Sequence, residues 1–425
     1  MKSEEPVVVY RPDLGSAATP QLLRQRPVHR WFWFPHSYSP ELVEAILDSW
    51  NLPPGSVLLD PFVGAGTTLL VAKERGYPAL GADLSPLAVL VSNVKVQPYQ
   101  REKLEAALNC LQHRWEERKC RCLEYQFYAT SSFWENSERL KKAFTPSEMA
   151  VLVALREEIF RLGGILKDFF MVALLGIIPD FSRAMADGGW FRWVERPEEA
   201  DQIAPRLWAH ATSMMGDLHF APLGHEQDFR DWEVYLLDAR KLSELKPRIF
   251  DGLITSPPYP NRHDYSRVFQ IELLLLGQSE DNITRLRYNS VRSHVEAKPP
   301  EPESQAALAG YRIPSLLAQC LDQLPAKSDR RVRRMLKGYF EDMFLVLRSA
   351  HEVLRPGAKV ALVVGNVRHY GVLCPVDEIL VDIGRQAGFR HLASWVIRLR
   401  GNSAQQMGRY GRIPSRETVV ILQAE

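Results

Sequence analysis

The chain has 425 residues, 46% of them hydrophobic and 24% charged. These are globular values for two or three domains, or one large domain with insertions, and they exclude collagen-like, disordered and mini-protein classes. Formal net charge is +2, from 53 Lys and Arg against 51 Asp and Glu; taken as an average, that balance weighs against a polyanion-binding protein. Five cysteines, Cys110, Cys120, Cys122, Cys320 and Cys374, are an odd number in a long chain, which argues against a disulfide scaffold. Cys120-Arg-Cys122 lacks the two-residue spacing of a zinc knuckle, so no metal is expected. The acidic N-terminus, MKSEEPVVVYRPD, predicts no signal peptide. The longest apolar run, Phe169–Pro179, falls far short of the roughly 20 residues of a bilayer span and reads as a buried helix. A cytoplasmic location without membrane contact is expected.

In chain order, Ser56–Asp60 is a compact apolar strand. A glycine-containing turn, a helix over Thr67–Arg75 and a second strand over Pro78–Asp83 follow. Residues 100–225 have a helical pattern with many aromatics and read as an inserted subdomain. Trp232–Leu237 and Phe250–Thr255 are strands. Residues 278–335, rich in Pro, Arg and Ser, read as a partly irregular insertion. Tyr339–Leu354 has helical periodicity, broken by Arg355-Pro-Gly357 before a strand at Lys359–Val364. A helix at Val376–Ala387 precedes two alternating strands, Ala393–Arg400 and Thr418–Gln423. Strands alternating with helices predict an α/β fold. Its Rossmann-like sheet is mostly parallel, with helices on both faces and a closing antiparallel hairpin at one edge.

Asp60-Pro-Phe-Val-Gly-Ala-Gly-Thr-Thr68 occupies the first strand-to-helix turn. Gly64 and Gly66 let the backbone approach a ligand closely, and Thr67 can cap the following helix. The helix start offers free N–H groups. Asp83 ends the next strand, where an acid can accept from ribose hydroxyls. The string is neither a dinucleotide fingerprint nor a phosphate loop. An acid here is a poor neighbour for phosphate and better suits the cationic or amino-acid part of S-adenosylmethionine. Pro61, Phe62 and Leu84 belong to the same two strings. Asp238-Ala239-Arg240, after the third strand, is a candidate contact for an adenine amine.

The strand ending at Thr255 runs into Ser256-Pro257-Pro258-Tyr259. Two prolines fix the direction of the carbonyls and supply no N–H. The turn therefore presents acceptors, the Ser256 oxygen and a proline-flanked carbonyl, which can hold both hydrogens of an exocyclic amine. Tyr259 offers a flat face on which a base can stack.

Together, Asp60–Thr68 and Thr255–Tyr259 resemble the cofactor and catalytic motifs of the amino-methylating DNA methyltransferases, which modify N4 of cytosine or N6 of adenine. Ser-Pro-Pro-Tyr is similar to the N4-cytosine members; adenine members usually carry Asp or Asn at the position of Ser256. His29–Pro35, with Phe34, resembles the family segment that covers the methionine part of the cofactor. Leu354–Gly365 is similar to a later helix-turn-strand, and Arg409–Glu417 to a loop near the flipped base. The resemblance covers roughly residues 25–99, 230–277 and 338–425. Its motif order, cofactor turn first, departs from many N4-cytosine enzymes, so their target-recognition boundaries do not transfer. The resemblance implies S-adenosylmethionine as donor, double-stranded DNA as partner, a flipped target cytosine, direct in-line transfer, and an associated restriction or defence nuclease. The expected division is 1–99 (N-terminal extension and cofactor half), 100–229 (helical insertion, candidate target recognition), 230–277 (catalytic part), 278–337 (insertion, candidate DNA contact) and 338–425 (remainder of the core).

C5-cytosine chemistry needs a Pro-Cys nucleophile; the adjacent pair here is Cys374-Pro375, in reverse order. Alternatives left open are adenine N6 or RNA methylation on the same fold, a protein-glutamine methyltransferase, and a silent nucleic-acid-binding scaffold. Charge is locally uneven. Arg385, Arg390, Arg398, Arg400, Arg409, Arg412 and Arg416 have no acid between them, and Lys327, Arg330, Arg331, Arg333, Arg334 and Lys337 accompany Asp329 alone. Clustered arginine is the footprint of phosphate contact. Candidate DNA contacts are Arg262, Arg267, Arg331, Arg334, Arg409, Tyr410 and Arg412. Trp134, Trp190, Phe191 and Trp193 are candidate base wedges.

Overall fold

The computed structural model describes residues 7–123, 137–187, 190–219, 232–261, 264–299, 306–401, 411 and 414–425. From the N-terminus the chain forms β1 (Val7–Tyr10), α1 (Pro40–Trp50), β2 (Leu58–Asp60), α2 (Thr67–Glu74), β3 (Ala79–Asp83), α3 (Pro86–Val96) and α4 (Arg101–Leu123). Next come α5 (Glu138–Ala143), α6 (Pro146–Phe160), α7 (Gly164–Phe181), a hairpin of β4 (Ala184–Asp187) and β5 (Trp190–Trp193), and α8 (Ala200–Asp217). Then follow β6 (Trp232–Leu236), β7 (Phe250–Thr255), α9 (Tyr265–Val268), α10 (Gln270–Leu276), α11 (Glu280–Asn289) and α12 (Ser315–Gln323). Last are α13 (Arg330–His351), β8 (Leu354–Gly365), the short pair β9 (Val367–His369) and β10 (Val372–Cys374), α14 (Val376–Gln386), β11 (Phe389–Arg400) and β12 (Ser415–Ala424).

Across the main sheet the strand order is β1-β11-β12-β8-β7-β2-β3-β6. Strands β6, β3, β2, β7 and β8 are parallel, whereas β12 runs antiparallel to both β8 and β11. Central strands are apolar on both faces because helices cover both. Leu58 and Ile254 point into one core and Leu59 and Leu253 into the other. The first core is shared with α1 and α2, the second with α13 and α14. A third core joins α4 to α8 and α10 with Trp31, Phe32 and one face of α3. The run at Phe169–Pro179 lies within α7, where Phe169, Phe170, Leu174 and Ile178 are at most 1% exposed. Among the described residues no helix is long and apolar enough to cross a membrane.

Several boundaries differ from expectation. The closing hairpin does not lie at the sheet edge, because β1 adds a parallel strand outside β11. Four residues with no alternation gave no signal for it. The helix expected from Tyr339 starts at Arg330, and Arg355-Pro-Gly357 lies inside β8 rather than before it. Pairing with β7 shifts register there, between Phe250 and Gly252, so Pro356 costs no ladder hydrogen bond to that neighbour. Among the described residues, 278–335 hold the regular helices α11 and α12 and the start of α13.

Candidate active site

The cofactor-type turn begins where β2 ends. Asp60 is 2% exposed. Its Oδ1 accepts from the Phe62 amide at 3.1 Å and from the Thr255 hydroxyl at 2.6 Å, and Oδ2 accepts from the Tyr38 hydroxyl at 3.4 Å. Burial pushes this carboxyl up to about 6, against the pull of those hydrogen bonds, and Asp83 adds repulsion. Gly64 and Gly66 have φ of +46° and +77°. A Cβ on Gly66 would lie 3.0–3.1 Å from Ser92, so this glycine serves both turn geometry and close helix packing. The helix cap differs from expectation: Gly66 occupies the N-cap without a side-chain bond. Thr67 is the first helical residue and its hydroxyl meets Ser37 at 3.2 Å. Behind the turn, the buried Lys95 ammonium donates to the carbonyls of Ala65 at 2.9 Å and His29 at 3.0 Å. Burial lowers its pKa to about 7.

Asp83 accepts from the amides of Gly64 at 3.1 Å and Ser85 at 2.9 Å, and burial raises its pKa. Asp238 caps the following 3-10 turn and is held by the side chain of Arg240 at 2.7 Å. Arg240 also reaches Asp342, which is fully buried and pairs with Arg292 at 2.7 Å.

The Ser256–Tyr259 turn leaves β7, the neighbour of β2. Ser256 donates its hydroxyl hydrogen to the Val363 carbonyl at 3.0 Å. A hydroxyl has one hydrogen, so the remaining lone pairs of Ser256 are acceptors. The Tyr259 ring rests on Gly365 of β8; a Cβ there would stand 2.8 Å from the ring edge. His369 fixes the next residue through the Pro260 carbonyl at 2.8 Å. Asp264 caps α9 and pairs with Arg287 at 2.7 Å.

Both turns open into a single cavity of about 480 Å³, within the range of small-molecule sites. Its wall includes Phe34, Pro61, Phe62, Gly64, Thr67, Asp83, Leu84, Asp238, Ala239 and Ser256–Tyr259. Asp60, Gly66 and Thr255 are not part of the wall, though each adjoins a residue that is. Tyr38, Tyr265 and His294, which no motif marks, also line it, together with Arg398 and Glu417. Tyr38 lies just past the aromatic string ending at Pro35, and Arg398 was visible only as one charge of a cluster.

The arginine candidates separate. Arg331 and Arg334 are exposed on the first turns of α13, beside exposed Lys327, Arg330 and Lys337. This end of α13 meets the active face, since the Asp329 amide donates to the Tyr370 hydroxyl at 3.0 Å, one residue from His369. Two other arginines of the clusters are engaged by protein partners, whereas Arg385 and Arg390 are exposed. Arg333 donates to the carbonyls of Leu321 and Leu324, both at 2.6 Å, and Arg416 binds Asp377 and Glu378. Arg267 binds Glu296 and Asp264, at 2.5 and 3.2 Å, so it is committed to structure rather than open to phosphate. Arg262, Arg409, Tyr410 and Arg412 lie outside the described residues, as do Trp134 and the side chains of Trp190 and Phe191. Trp193 is 38% exposed, with the Lys142 ammonium 4.3 Å from its ring centre.

A family model described as DNA methylase matches residues 18–93, the segment that carries the cofactor-type turn. Over 94% of its length the chain is 25% identical to the Type II methyltransferase M.BsoBI of Geobacillus stearothermophilus, covering 86% of that protein. It is 27% identical to the Type II methyltransferase M.AvaI of Nostoc sp., covering 94% of this chain and 87% of that one. A shorter match, 36% identical over 85 residues, joins 20% of this chain to 16% of the Type II methyltransferase M.MjaII of Methanocaldococcus jannaschii. The family model and these relatives support a likeness to the amino-methylating DNA methyltransferases.

That likeness implies S-adenosylmethionine as methyl donor, and the cavity fits it. Four carboxylates line the wall: Asp83, Asp238, Asp264 and Glu417. Three are matched by arginines, Arg240, Arg287 and Arg398. Asp83 has no cationic partner among the described residues. It is placed to accept from ligand hydroxyls or a ligand ammonium and is unsuited to phosphate.

Proposed function

We propose that the protein transfers a methyl group to the exocyclic N4 amine of cytosine in double-stranded DNA, after the target base is flipped into the cavity. The observation that carries this reading is the Ser256–Val363 hydrogen bond. It fixes Ser256 as an acceptor on the wall that the cofactor turn also lines. The methyl donor supplies an already activated electrophile, so the residues of the chain have mainly to position the amine. Ser256 and the Pro257 carbonyl accept its two hydrogens, which aims the nitrogen lone pair across the cavity toward the cofactor turn. Tyr259, backed by Gly365, stacks on the base. Phe34, Asp83 and Asp238 hold the donor. The nitrogen itself is the nucleophile, and no residue forms a covalent bond to the base.

The exposed basic end of α13, with Arg331 and Arg334, is the proposed phosphate contact. A restriction or defence nuclease of the same target sequence is the proposed partner. The reading of cytosine rests on Ser256, where the resemblance gives adenine enzymes Asp or Asn. Mass spectrometry and methylation-aware sequencing of DNA from expressing cells test it. N4-methylcytosine in one sequence context is expected; N6-methyladenine without N4-methylcytosine would overturn it.

A further inference from the structure

One wall of the cavity carries an ion pair that neither turn accounts for. Arg398 of β11 gives its Nε–H to Glu417 of β12 at 2.8 Å. The Glu417 side chain is 4% exposed and that of Arg398 31%. Both line the cavity.

Sheet register fixes where they stand relative to the catalytic turn. Thr255 pairs with Leu362, and Glu417 stands opposite Gly365 on one side and Arg398 on the other. Tyr259 and Glu417 converge on Gly365: a Cβ there would meet Tyr259 Cε2 at 2.8 Å and Glu417 Cγ at 3.4 Å. Ser256, Tyr259, Glu417 and Arg398 therefore form a row along the carboxyl edge of the parallel strands. Successive strands of that row are about 4.8 Å apart.

Glu417 takes the Nε edge of the guanidinium. Among the described residues neither Nη nitrogen has a partner, so Arg398 keeps donors in a fixed fork. We infer that Arg398 reads the target base beyond its amine, donating to N3 and O2 of cytosine while Glu417 holds it in place. On cytosine, N4, N3 and O2 follow one another along a single edge. With N4 at Ser256 and the ring on Tyr259, N3 and O2 come next along the row, toward β12 and β11. Adenine in the same pose presents N1 and then a C–H, which leaves one donor unpaired. Arg398 is thus the residue that favours cytosine, an assignment that rests on the cytosine reading above.

The test uses the full chain and a duplex bearing the target sequence found by methylation-aware sequencing. A twin duplex carries 3-deazacytosine at the target, which keeps the amine and O2 but replaces N3 by C–H. Arg398→Met should lower kcat/KM on the cytosine duplex about tenfold to a hundredfold, with cofactor affinity by calorimetry unchanged. Arg398→Lys, which keeps the charge but not the fork, should recover only part. Wild type should lose activity on the 3-deazacytosine duplex, and Arg398→Met should lose little more. Independent, additive losses would give Arg398 a merely structural role and overturn the assignment. So would cytosine methylation undisturbed by Arg398→Met. Wild-type enzyme that methylates adenine alone would instead sink the cytosine reading itself.

Discussion

The two turns that meet in the cavity end adjacent parallel strands, yet they are built from opposite materials. The turn after β2 uses two glycines at positive φ, which bring backbone donors and carboxylates against a ligand. The turn after β7 uses two prolines, which remove donors and fix acceptors. In the proposed reading one site takes a molecule with hydroxyls and positive charge, and the other takes an amine by its hydrogens. They are linked by the Thr255 hydroxyl, which donates to Asp60 at 2.6 Å. A transferase needs two ligands in one cavity without confusion between their sites, and complementary donor and acceptor patterns provide this.

The comparison predicts that the two turns fail differently. Ser256→Ala removes an amine acceptor and should lower kcat by about 10²–10³, the range seen when one preorganised hydrogen-bonding group is removed from an active site. Its affinity for S-adenosylmethionine, measured by calorimetry, should be unchanged. Equal loss of cofactor binding would show that the turns do not divide the work. Gly66→Ala should do the converse. Positive φ and the Ser92 contact make it cost about 1–3 kcal/mol, expressed as weaker cofactor binding. Single-turnover rates at saturating cofactor should stay near wild type.

The contact between the turns gives a pH signature. Asp60 titrates at about 6 in the folded protein against an ordinary value of 3.8. The fold favours the protonated form, so this contribution to stability is complete below about pH 4 and is lost as pH rises through 6. Asp60→Asn is neutral throughout and escapes that loss. Relative to the variant, wild type should therefore lose stability between pH 4 and 7, by at most about 3 kcal/mol. Urea midpoints across that range measure it, and parallel curves for the two proteins would contradict it. Smallest is Thr255→Val, which removes the hydroxyl donor to Asp60. About 1 kcal/mol is expected, read as a further rise in the apparent pKa of Asp60 by NMR.

How much of this was legible depended on how local the cause was. Both turns were readable because glycine and proline act on their own backbone and the strands beside them are short apolar runs. The fate of the charges was not. Arg416 looked like part of an acid-free cluster, but Asp377 and Glu378 reach it from another helix. Arg267 is taken by Glu296, 29 residues on. Thr67 had the chemistry of a cap, yet the left-handed Gly66 holds that position. The Arg398–Glu417 pair needs the register of β11 on β12, and no spacing in the sequence announces it.

The place of β12 has a consequence for biosynthesis. It follows β8 and β11 in the chain, yet it lies between them. Until residues 415–424 emerge from the ribosome, β8 and β11 face an empty slot with unpaired backbone on both edges. Glu417 arrives on that same strand, so the cavity wall and the closed sheet are completed in one event. A chain cut before Ser415 should be both inactive and prone to aggregate.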